Sequence, residues 1–190
     1  YNIGIAHCNF QLRGVESFQD QNFVQEYAAA NNIPVFITQF DTKAFAEDYK
    51  VSTQVAAREL RYNWFYELLG TEKFDFILTA HHADDNLETF LINLSRGTGL
   101  DGLTGIPKQN EKIVRPLLAF SQEEMEQYAR FNDMKWREDS SNASDKYLRN
   151  KIRHHLVPIL KDLNPNFLSS FYKTQTYLQE AQDMVEDASI

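Results

Sequence analysis

Cysteine is almost absent from this chain: one residue of 190, Cys8, leaves no internal disulfide and no set of thiolates for a metal cluster. A reducing compartment, the cytoplasm, is the simplest setting. No apolar run approaches the ~20 residues of a membrane span and no signal peptide is visible, so no membrane partner is expected. Positive charge is not in excess either. Nineteen Lys and Arg against 27 Asp and Glu give a net charge of −8, which argues against indiscriminate binding to nucleic acid but leaves room for a local basic patch. Repeats and low-complexity tracts are missing. Glycine is sparse, and four of the 7 fall between Gly97 and Gly105. What is present, 43% hydrophobic residues, suffices for one substantial core with a helical appendage.

The chain enters on a strand, Tyr1 to His7, with no cap or turn before it, so a further stretch upstream is expected. Ser17 with Asp20 has the spacing of a cap for a helix through about Ala30, ended by Pro34. Val35 to Phe40 reads as a second strand, and Ser52 or Thr53 caps a helix that ends at Gly70. Phe74 to Ala80 reads as a third strand. Arg96 to Pro107 should be loop, Lys112 to Leu118 extended, and Ser121 with Glu124 a capping box for a helix through about Phe131. Trp136 to Ser144 reads as loop, Asp145 to Leu160 as helix, and Asn164-Pro165 opens a last helix toward Ile190. Strands alternating with helices of these lengths predict an α/β fold, a parallel sheet with helices on both faces.

The segment Thr79 to Thr89, TAHHADDNLET, joins the third strand to the next helix and puts Asp84, Asp85 and Glu88 near its first turn. Leu87, Phe90, Leu91 and Leu94 follow helical spacing and should face the core, which turns Asp85 and Glu88 to the other side, over the strand end. In open α/β sheets ligands bind in the crevice outside the carboxyl ends of strands. One acidic residue at a helix N-terminus needs no reason beyond capping, and Asp84 is taken as that cap. Two more carboxylates behind two histidines exceed capping, since like charges three apart repel, and the cluster asks for a cation.

Other candidates are weaker alone. Arg58 and Arg61 share a helical stripe in the half where the dipole disfavours cations; a phosphate would compensate, although Glu59 and Glu67 offer countercharge. Arg96 beside the glycine segment makes an anion contact there, though most such segments are only turns. His7, Asn9 and Arg13 follow the first strand at the ligand end of a parallel sheet, where a histidine is also often just structural. Lys146, Arg149, Lys151, Arg153, His154 and His155 form the one dense basic run, either a solvated helix face or an RNA contact with Tyr147 alongside.

Together the segments AHCNFQLRG, AARELRY, TAHHADDNLET, RGTGLDGLTGIP, RPLL and SNASDKYLRNKIRHHLVPIL resemble the N-terminal catalytic domain of the tRNA(Ile)-lysidine synthetase family of PP-loop ATP pyrophosphatases, over Ala6 to about Leu160. The resemblance implies a Rossmann-like PP-loop domain at 1–160, with its first strand and phosphate loop missing, and a helical connector at 161–190 toward a C-terminal region. It implies ATP with Mg2+, L-lysine, and an isoleucine tRNA with a CAU anticodon. ATP adenylates the wobble cytidine at its carbonyl carbon and the lysine amine displaces AMP, so decoding changes from AUG to AUA. Asp85, Glu88 and His82 are the implied lysine site, with Asp85, Glu88 and Arg58 catalytic. His7, Asn9, Arg13, Arg96 and Gly97 would hold the nucleotide, and Lys146, Arg149 and Arg153 the tRNA. A homodimer is admissible.

Two departures stand against the pattern. Phe10 occupies the place of the second histidine of HxNHxLR, and the SGGxDS phosphate loop is not among these residues, so the chain as it stands is expected to bind ATP poorly. The alternatives are a PP-loop tRNA thiolation enzyme, disfavoured by a lone cysteine, and an RNA-binding module without catalysis.

Overall fold

The computed structural model describes residues 2–145 and 147–188. It divides into two compact units, Tyr1–Ile77 and Leu78–Ile190.

In the first unit, β1 (Ile5–Asn9) runs parallel to β2 (Val35–Gln39), with Ile5 opposite Val35 and Asn9 opposite Gln39. Between them lies α1 (Val15–Ala30). Its cap is not Ser17 but Gly14, at φ +53°; Ser17 sits within the first turn, where its hydroxyl accepts the Arg13 N–H, and Asp20 turns to the Arg13 guanidinium at 2.5 Å. The helix stops at Ala30, before Pro34 acts, because Asn32 enters the left-handed region at φ +53°. The polar stretch after β2 forms a helix that the sequence reading passed over, α2 (Thr42–Asp48), capped by Asp41 on the Ala44 N–H. α3 (Thr53–Thr71) is capped by Ser52, as its spacing predicts.

In the second unit, β3 (Ile77–Leu78), at the division, belongs to a sheet of order β3-β5-β4. β4 (Gln109–Asn110) and β5 (Ile113–Val114) form an antiparallel hairpin, where an all-parallel sheet was expected. The third strand was expected from Phe74 to Ala80 but forms only at Ile77–Leu78, with one further bond from Thr79 N–H to the Val114 carbonyl. Its partner β5 is itself cut short by Arg115-Pro116, since proline has no N–H to extend the ladder.

α4 (Ala83–Arg96) leads into a one-turn helix, α5 (Leu100–Leu103), inside the segment expected to be all loop. α6 (Gln122–Phe131) carries the anticipated Ser121/Glu124 capping box. After a 3-10 turn at Ser140–Ala143, α7 (Leu148–Lys151), a π-helical stretch at Ile152–Leu156 and α8 (Val157–Leu163) run on as one helical segment, followed by α9 (Phe167–Asp187). The core joins Leu87, Ile152, Val157 and Phe171, with Phe90 and Leu91 packed on it and the Phe90 and Phe171 rings edge to face at 5.1 Å. Leu94, assigned to this face, is 54% exposed, one turn beyond the contact with α9. No helix among the described residues is long and apolar enough to cross a membrane.

Candidate active site

The first turn of α4 is arranged differently from the capping scheme that the sequence suggests. The cap is His82: its Nδ1 accepts the Asp85 N–H at 3.4 Å, and the Asp85 carboxylate accepts the His82 N–H at 3.1 Å. With Nδ1 accepting, a neutral imidazole carries its proton on Nε2, which lies 3.3 Å from Asp85 Oδ2. Asp84, expected to cap, instead accepts from the Gln122 N–H at 2.8 Å and from Lys161 Nζ at 2.6 Å. Burial pushes the Asp84 carboxyl upward, but the Gln122 N–H and Lys161 together outweigh it and hold it below the usual carboxylate range.

The cation that this cluster calls for comes from the chain itself. Glu88, 1% exposed, is gripped by one edge of the Arg153 guanidinium through two bonds, Nε to Oε1 at 2.6 Å and Nη2 to Oε2 at 3.0 Å. The Glu88 bond keeps Arg153 charged even more firmly than usual, against the cost of its burial. Arg149 donates to the Thr89 hydroxyl at 2.9 Å and stands 3.7 Å from Asp85 and 3.8 Å from Glu88. Thr89 to Arg149, Glu88 to Arg153 and Asp84 to Lys161 thus form successive rungs between antiparallel helices. Lys161 lies twelve residues after Arg149, which on a regular helix of about 3.6 residues per turn carries it roughly 120° off the same face. The wider π turn at Ile152–Leu156 takes up part of that drift, as such insertions do near functional sites.

Asp85 is the least committed of the three carboxylates. Beyond its capping role its guanidinium neighbours are at 3.5 Å and 3.7 Å, contacts too long for strong hydrogen bonds.

The glycine segment is fastened to α4 by buried amides. Asn86 donates to Gln175 Oε1 at 2.6 Å and accepts the Ile106 N–H at 2.7 Å, while Asn93 donates to the Gly102 carbonyl at 2.9 Å. Gly105, at φ +79°, passes so close that a Cβ there would lie 2.2 Å from Gln175 Nε2 and 2.4 Å from Asn86 Oδ1. Arg96 and Gly97 are at the far end of α4. Eleven residues at about 1.5 Å each put Arg96 ~16 Å along the axis from Asp85, so the structure does not bring them together.

In the first unit the Asn9 side chain is buried and occupied, donating to Gln21 at 2.9 Å and accepting the Gln11 N–H at 3.0 Å. Arg13 pairs with Asp20 and Glu16. His7 Nε2 is buried without a hydrogen-bond partner, and burial lowers its pKa against the pull of Asp20, which keeps it neutral. Arg58 stacks over the Tyr62 ring at 4.9 Å, and Arg61 over Phe10 at 5.1 Å. Burial pushes the Cys8 thiol up to about 11 although Arg61 pulls it down, so at neutral pH it is a protonated, weak nucleophile.

Sequence reasoning overlooked Lys161, which regular helical spacing puts off the face of Arg149 and which the π-helical stretch helps bring round, and Trp136. Trp136 lines a cavity of about 550 Å³ with His82, Met125, Asn142, Arg153 and His154. Lys146 lies outside the described residues.

A model of the PP-loop domain matches residues 1–160. The chain is 43% identical over 180 residues to the tRNA(Ile)-lysidine synthase of Porphyromonas gingivalis, covering 94% of this chain and 40% of that protein. To the enzymes of the same name from Petrotoga mobilis and Bacillus subtilis it is 36% and 34% identical, covering 100% and 97% of this chain and 62% and 40% of theirs. The chain therefore spans about two fifths of the length of the first curated relatives it matches. Among solved structures, the U34-tRNA thiolase NcsA of Methanococcus maripaludis superposes with a TM-score of 0.73 at 18% identity, over 92% of this chain and 60% of that one, a likeness of fold.

Proposed function

The chain belongs to the PP-loop family, and from that premise we propose that it is the catalytic part of a cytoplasmic tRNA(Ile)-lysidine synthetase. Residues 1–160 are the catalytic domain and 161–190 the connector. The substrates are ATP, L-lysine and an isoleucine tRNA with a CAU anticodon. The observation that supports this most is the ladder of carboxylates and cations on α4 and the 148–163 segment, in a chain 34–43% identical to lysidine synthases.

The two acidic residues divide the labour. Glu88, buried and doubly bonded, anchors Arg153 and holds the cluster in register. Asp85 has acceptor capacity left, so it meets the lysine ammonium and takes its proton, while His82 Nε2 holds the carboxylate in place. The ε-amine, once neutral, is the nucleophile toward the activated carbonyl carbon of cytidine. In the first unit Arg58 is assigned to charge on the α-phosphate and His7 and Arg13 to the nucleotide, the Asn9 side chain being already occupied; in the second unit Arg96 and Gly97 are assigned an anion contact at the end of α4. Arg149, with Lys146 and the exposed edge of Arg153, meets the tRNA backbone.

Magnesium does not fit the acidic cluster. Asp84 and Glu88 are each taken by a cation, and no group of three or more metal-ligating side chains gathers among the described residues. Mg2+ accordingly enters with the nucleotide phosphates.

The deciding assay is transfer of labelled lysine to tRNA(Ile) with a CAU anticodon, with ATP present. Asp85→Asn should abolish transfer while tRNA binding survives. Transfer at the native rate in that variant would sink the assignment of Asp85, and no transfer by the full-length protein, phosphate loop included, would sink the synthetase reading.

A further inference from the structure

The cavity beside the ladder joins an apolar wall and an indole to the carboxylates of Glu126, Glu138 and Asp139. We infer that it is a base pocket: an unstacked cytosine of the RNA lies on the Trp136 indole, with the ribose toward Arg153. This rests on the lysidine reading for the identity of the base, but not for the stacking.

The cavity, about 550 Å³, falls within the roughly 300–1,000 Å³ of small-molecule sites and is open to one side. Its apolar wall is Met125 and Ala129 of α6 with Trp136 from the following loop. Trp136 is 45% exposed, and Arg130 stands over its ring at 6.0 Å, which steadies the indole without burying it. Single-stranded RNA is read by splaying a base out and stacking it on such a ring, and every base offers a π face. Cytosine also presents an exocyclic amine, a donor that carboxylates accept; Glu138 lines the same space, whereas Glu126 is held by Arg130 and Gln122. The floor is His82 and Arg153, which are also bonded to Asp85 and Glu88. A base seated on Trp136 is therefore next to the carboxylate assigned to the lysine amine. An amino acid alone would leave the aromatic wall unused.

The test compares the native protein with Trp136→Phe, so that the fluorescence difference isolates Trp136. Each is titrated with a single-stranded RNA heptamer bearing a central cytidine and with the same heptamer abasic at its centre. The Trp136 emission should be quenched by the cytidine heptamer. Affinity should fall about 5- to 150-fold for the abasic heptamer and for Trp136→Ala, and stay within about twofold for Trp136→Phe. Equal affinity for both heptamers with unquenched Trp136 overturns the pocket, whatever lysine transfer does. Quenching by free lysine and not by RNA overturns it too, giving the cavity to the amino acid. Quenching by the cytidine heptamer, with no lysine transfer by the full-length protein, upholds the pocket and sinks the synthetase reading instead.

Discussion

Replacing Arg153 by alanine should destabilise the second unit sharply, because it leaves Glu88 buried and charged with its two hydrogen bonds of 2.6 Å and 3.0 Å gone. Removing one partner of a buried ion pair costs about 3–5 kcal/mol. Arg149 stands 3.8 Å from Glu88 Oε2 and is 41% exposed, so it can swing in and recover part of that loss. The expected cost is thus near the lower limit, ~3 kcal/mol, or roughly 6–12 °C in melting temperature for a chain of this size. Equilibrium unfolding in urea, followed by Trp136 fluorescence in a Trp64→Phe background, reports the unit concerned, since Trp136 and Arg153 both lie in Leu78–Ile190. The midpoint should fall with little change in slope. Replacing both partners, Glu88→Leu with Arg153→Met, removes the stranded charge and should restore most of the loss. If the single variant costs under ~1 kcal/mol, or the double variant is no better than the single, the pair is not the anchor described here.

Three other outcomes follow from the same geometry. Gly105→Ala should cost about 2–4 kcal/mol, from a left-handed backbone and the broken Asn86–Gln175 amide bonds, while Gly99→Ala, with open space and no positive φ, should stay within about 0.5 kcal/mol by thermal unfolding. Asp84 has a folded pKa below its ordinary value, so its contribution is complete above the ordinary carboxylate range and is lost as pH falls through and below it; Asp84→Asn should flatten the acid limb of a stability–pH curve, and an unchanged limb counts against the Lys161 pairing. Alkylation of Cys8 by iodoacetamide should be slow at pH 8 and climb toward pH 11; fast reaction at neutral pH would contradict its burial.

The helices were largely legible in the sequence because their signals are local: Ser52 and the Ser121/Glu124 box cap where their spacing says. Errors arose where a distant partner outbid a local rule. Asp84 looked like a cap but is drawn off by Gln122 and Lys161, 38 and 77 residues away, leaving the position to His82. The third strand reads as seven apolar-rich residues, yet its length is set by a partner that Pro116 cuts short. Asp85, Glu88, Arg149 and Arg153 could each be picked out from the sequence, as a lysine site on one side and an RNA contact on the other. Their union into one ladder could not be, because side chains 60 to 68 residues apart meet only through the packing of Leu87 on Ile152 and Val157.

That union bears on how an amine is activated. Three carboxylates in adjacent turns would repel one another and rise in pKa, giving poorly defined proton acceptors near neutrality. Arg149, Arg153 and Lys161 offset that repulsion, and the bonds are shared unevenly: Glu88 and Asp84 each hold short bonds to a cation while Asp85 does not. On the proposed function, a lysine ammonium would reach Asp85, held by His82, without having to displace a short ion pair. Were Glu88 the acceptor instead, the amine would have to break both Arg153 bonds first. The order of the defects separates these routes: Asp85→Asn should lower the turnover of bound substrates with protein stability kept, whereas Glu88→Gln should lower stability and turnover together. A stable, fully folded Glu88→Gln variant with turnover abolished would transfer the proton-accepting role to Glu88.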